Sequence, residues 1–72
     1  MKLKIEIEME NEAFFHNGEP TRESEVSKIL HQFIHNKTDE DFDLVGNTWI
    51  LFDSNGNRVG YAKVMNERIS NV

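Results

Sequence analysis

The chain has 72 residues, no cysteine, and a formal net charge of −5 from 13 acidic and 8 basic side chains. That length supports one small domain, which buries only about 60% of its unfolded surface, and without thiols neither a disulfide framework nor a thiolate metal site is available. The acidic balance works against nonspecific binding to nucleic acid, no apolar run approaches the ~20 residues of a membrane span, and the amino terminus alternates charge with aliphatics where a signal peptide needs an apolar core, so a cytoplasmic protein is expected.

From Lys2 to Glu10 the pattern alternates: Leu3, Ile5, Ile7 and Met9 take one face and Lys2, Lys4, Glu6, Glu8 and Glu10 the other. This is the period of a half-buried strand. Its outer row runs from lysines to glutamates, and an exposed charged row is one way in which sheets discourage edge pairing. Asn11 to Pro20 breaks the alternation with Asn17-Gly18 and the only proline, and reads as a connection. Phe14 or Phe15 is expected to supply core volume under the helix that follows.

That helix is predicted from Arg22 to about Asn36, with Val26, Ile29, Leu30, Phe33 and Ile34 at spacings of three and four. Thr21 suits the N-cap, Glu23 and Glu25 the positive end of the macrodipole, and Lys37 the negative end. Glu25, Lys28, Gln32 and Asn36 are expected on the solvent face. His31 and His35 stand four apart, a spacing that places two imidazoles on one side of a helix, as in HExxH zinc sites. Here Gln32, Phe33 and Ile34 intervene, the glutamate base is missing, and a third ligand would have to come from His16 or the acids at Asp39 to Asp43. Neither a metal nor a cofactor is expected.

Thr38 to Asn47 carries Asp39, Glu40, Asp41 and Asp43 interleaved with Phe42, Leu44 and Val45, and reads either as a loop docked on the sheet or as a short extra turn. Trp49 to Val64 then forms a β-hairpin about Ser54-Asn55-Gly56, because Asn55 and Gly56 tolerate positive φ and Asp53 can accept from nearby amides. An EF-hand loop is excluded by spacing: from Asp53, glycine comes fourth and the twelfth residue is Val64, where glycine sixth and glutamate twelfth are needed. With no nucleophile motif, no phosphate loop and too little mass to close off a pocket, the expectation is not an enzyme.

With a type I turn and Gly56 left-handed, continuous alternation pairs Asp53 with Asn57, Leu51 with Val59 and Trp49 with Tyr61. Ile50, Phe52, Ala62 and Val64 then meet the helix, while Trp49, Leu51, Val59 and Tyr61 form an exposed apolar face, the candidate interaction site. A shifted register, or the Asp39 to Val45 segment folding over these residues, would remove that face.

Asn11-x-Ala13-Phe14 after the first strand, Glu25-Val26 and Ile29-Leu30 in the helix, and Asp53-x-Asn55-Gly56-Asn57-x-Val59-Gly60 together resemble short uncharacterised proteins encoded in phages and other mobile elements. The resemblance spans roughly Lys4 to Val64 and implies a mobile-element context, with no activity, cofactor or catalytic residue to carry over.

The expected fold is α+β, a β-α-β-β domain over residues 1–65 with one helix on a three-stranded antiparallel sheet of order 1-3-2, Gly60 where strand and helix approach, and a flexible tail over residues 66–72. The expected function is a small protein-interaction module, acting on a protein partner or on a second copy as a homodimer. The alternative is an acidic nucleic-acid mimic binding a DNA-binding host or phage protein through Asp39, Glu40, Asp41 and Asp43.

Overall fold

A computed structural model describes residues 1–66. The expected tail lies, from residue 67 onward, outside the described residues. The chain is α+β, with strands β1 (Lys2–Ile7), β2 (Phe15–His16), β3 (Glu19–Pro20), β4 (Thr48–Phe52) and β5 (Arg58–Met65) and helices α1 (Arg22–Ile34) and α2 (Asp39–Phe42). α1 packs on a three-stranded antiparallel sheet of order β1-β5-β4.

The expected order 1-3-2 becomes 1-5-4, because two strands that alternation alone does not reveal intervene and form a second sheet, while the last strand still lies between the first and the one before it. The connection after β1 contains a one-turn 3-10 helix, Glu12–Phe14, followed by the small hairpin β2-β3, a second sheet of its own. Asn17 (φ 52°) and Gly18 (φ 81°) both occupy left-handed conformations, the geometry that lets a two-residue loop match the twist of its strands. Phe14 is fully buried, whereas Phe15 is half-buried with the Arg22 guanidinium 5.0 Å above its ring.

The core comprises Phe14, Ile29, Phe33, Leu51, Val59, Ala62 and Val64. Val59 and Ala62 are three apart, which no unbroken strand places on one face. A β-bulge resolves this: Phe52 pairs with Arg58 and Leu51 with Gly60, leaving Val59 as an extra residue on β5. The expected pairing holds at the turn, where the Asp53 N–H donates to the Asn57 carbonyl (2.9 Å). Beyond the bulge it shifts by one, so that Trp49 faces Ala62 and Ile50 faces Tyr61. The extra residue restores Val59 to the side on which Leu51, Ala62 and Val64 are buried.

Gly60 sits at this irregularity, but its close neighbour is β1 rather than the helix. A Cβ there would lie 1.8 Å from the Glu6 carbonyl oxygen and 3.0 Å from Ile7 Cα, so no other residue fits without moving the strand.

Candidate functional site

α1 has an apolar stripe broader than one contact can cover. Ile29 and Phe33 are buried against Leu51, Val59 and Ala62, Val26 is half-buried, and Leu30 and Ile34 remain exposed on the flank facing β1. The physical reason is width. A helix with its side chains is about 10 Å across, strands lie about 4.8 Å apart, and one helix therefore covers about two strands of three. α1 lies over β4 and β5, and on the inner face of β1 only Ile7 packs against the core, while Leu3 and Ile5 are left about 40% exposed.

The result is an apolar groove of about 550 Å³ between α1 and β1, floored by Leu3, Ile5 and Phe33 and walled by Val26, Leu30 and Ile34. Glu23, Ser27 and His31 form its polar rim. His31 Nδ1 lies 2.9 Å from the Ser27 carbonyl oxygen, which holds the ring against its own helix. Around the end of α1 a second hollow of about 360 Å³ continues the apolar surface past Met1, Leu3, Ile34 and Phe42.

The expected face of Trp49, Leu51, Val59 and Tyr61 is not one surface. Leu51 and Val59 are buried in the core, and Trp49 is half-buried in an aromatic cluster with Phe33 (ring centroids 5.4 Å) and Phe42 (5.7 Å). The Lys37 ammonium lies 5.5 Å from the Trp49 ring. Both events that would remove the face have occurred: the register shifts at the bulge, and α2 lays Phe42 over Trp49. Tyr61 alone points outward, where its hydroxyl donates to Glu6 (3.3 Å), with Ile50 and Phe52 exposed beside it.

Glu25, expected on the solvent face, is also corrected: it is 4% exposed. Its carboxylate accepts from the Ser54 N–H (2.7 Å) and the Ser54 hydroxyl (2.7 and 2.8 Å), tying the first turn of α1 to the hairpin turn. Asp53, equally buried, accepts from the amides of Asn55 (2.9 Å) and Asn57 (2.8 Å) and from the Asn11 side chain (2.7 Å). Burial alone would raise the Asp53 carboxyl, but the Asn57 amide, the Asn11 side chain and the Asn55 amide together hold it below its ordinary value. These carboxylates are occupied as structural acceptors, and among the described residues no buried side-chain nitrogen or oxygen lacks a partner.

His31 and His35 are exposed, and among the described residues no group of three His, Asp or Glu is placed to hold a metal ion. Of the four acids between Asp39 and Asp43, Asp41 turns back to accept from the Thr38 N–H (2.8 Å) and closes a capping box. No family model matches the chain, and no curated protein or solved structure matches it significantly.

The groove had one signal in the sequence, the width of the helical stripe. Five apolar residues between Val26 and Ile34 subtend two adjoining faces, and only one of them meets the two strands below.

Proposed function

We propose that the chain is a small non-enzymatic protein-interaction module, of the kind carried by phages and other mobile elements, acting through the α1–β1 groove. The observation that carries this is the continuous exposed apolar surface of Leu3, Ile5, Leu30 and Ile34 on an otherwise acidic small domain. Such surface is costly to solubility and marks interfaces when it is contiguous. The buried carboxylates support the same reading, since Glu25 and Asp53 are taken up in holding the hairpin turn and in tying it to the first turn of α1.

A photo-crosslinking residue at Leu30, with Phe52 on the opposite face as control, tests the proposal in cells. Protein adducts from position 30 and not from 52 are expected. Adducts from 52 alone overturn the site. Capture of a DNA-binding protein that is lost on neutralising Asp39, Glu40, Asp41 and Asp43, with no adduct at 30, would favour the acidic mimic.

A further inference from the structure

The free edge of β1 says what the groove receives. Among the described residues β1 has β5 on one side and no strand on the other. The Glu8 N–H donates to the Val59 carbonyl (2.8 Å), and because backbone groups alternate sides along an antiparallel strand, Glu6 and Lys4 also bond to β5. Leu3, Ile5 and Ile7 therefore present their N–H and C=O groups at the open edge. Apart from the charged outer row, the edge carries none of the usual protection: β1 has no proline, no bulge and no charge on its inner face.

Its outer row is self-complementary. In an antiparallel pairing of two β1 strands, the outward-directed residues must oppose one another, so odd residues meet odd and even meet even. With Lys4 on the two-fold axis, Lys4 meets its own copy; with Glu6 on the axis, Glu6 does. With Ile5 on the axis, Lys4 meets Glu6 and Lys2 meets Glu8 of the other copy, while Leu3 meets Ile7 and Ile5 meets itself on the groove side. Every charged pair is then opposite in sign. In the single chain Lys4 lies directly across from Lys63, a like-charge pairing that is unfavourable, with Glu6 3.4 Å away as partial compensation. A second glutamate from the other copy completes the neutralisation.

Resting on the interaction-module reading, we propose that the occupant of the groove is a second copy of this chain, joined β1 to β1 antiparallel with Ile5 on the two-fold axis. The two sheets become one of six strands, both α1 helices stand on the same side, and the two grooves merge over the seam. Leu3, Ile5, Leu30 and Ile34 of each copy close the space that one helix leaves bare. The charged row, which would discourage edge pairing if its sign were uniform, instead sets the register.

Sedimentation equilibrium of the whole chain, with two charge-reversed variants, tests this. Lys2→Glu/Lys4→Glu and Glu6→Lys/Glu8→Lys are each expected to weaken self-association about tenfold or more, through like charges in all cross-strand pairs, while circular dichroism shows the fold retained. Mixing the two is expected to restore a heterodimer. Hydrogen exchange should slow at the amides of Leu3, Ile5 and Ile7 as concentration rises, with Lys4 and Glu6 protected throughout. A wild-type chain that remains monomeric at about 1 mM overturns the proposal, as does a dimer indifferent to both reversals. In either case, adducts from position 30 to a different protein would leave the interaction module standing, and their absence would remove it too.

Discussion

The two halves of the helix–sheet layer are built from the same kinds of side chain and end differently. Over β4 and β5, Ile29 and Phe33 meet Leu51, Val59 and Ala62, and Phe42 and Trp49 seal the flank. Over β1, Leu3 and Ile5 face Leu30 and Ile34 across an open groove. Composition does not distinguish them; position under a single helix does. One half spends its apolar area on holding the chain together, and the other keeps an equivalent area in reserve.

The contrast is broken most severely on the closed side. Leu51→Ala removes a buried side chain from a core with few members and is expected to cost about 2–5 kcal/mol, read as a lower midpoint in urea denaturation. A loss below about 1 kcal/mol would mean that this half is not the packed one.

A subtler effect belongs to the turn that anchors the closed half. Asp53 has a carboxyl held below its ordinary value, so its contribution to stability is fully present above the usual carboxylate range near 3.8 and is lost as pH falls through the lower folded value. The stability gap between wild type and Asp53→Asn should therefore be constant at neutral pH and shrink in strongly acidic urea titrations. A gap that stays constant throughout would show that the amide bonds do not discriminate between the charged and neutral forms.

The smallest effect is expected on the open side. Leu30→Ser in dilute solution should cost about 1 kcal/mol, less than Leu51→Ala, since Leu30 is already 37% exposed. The same variant should lose association at high concentration. Destabilisation of the dilute monomer comparable to Leu51→Ala would show that the groove is part of the monomer core.

What was legible in the sequence follows the range of the forces involved. The alternation of Leu3, Ile5 and Ile7, the helical spacing from Val26 to Ile34 and the Asp53 to Gly56 turn are local, and each appears in the structure as strand, helix and turn. The small hairpin at Asn17-Gly18 was marked by its turn residues but obscured by strands only two residues long. The inward rotation of Glu25 depends on Ser54, 29 positions away, and no helical period encodes it. The candidate face of Trp49, Leu51, Val59 and Tyr61 failed for the same reason. Its parity was set by a bulge at Val59 in the pairing of β4 with β5, and its exposure by Phe42 folding back from another segment. The groove required knowing which two of three strands the helix would cover.

The bulge at Val59 acts as a phase slip in the side-chain code of β5. Residues between the turn and Val59 are in step with the loop chemistry of Asp53 to Asn57, and those from Gly60 onward are in step with β1 and the core. A length change confined to the loop would rebuild the turn and leave Ala62 and Val64 facing inward. One inserted residue between Gly60 and Ala62 would invert every side chain that follows. The hairpin thus holds two independent registers, and the seam between them lies against the Glu6–Ile7 backbone, where Gly60 leaves no room for drift.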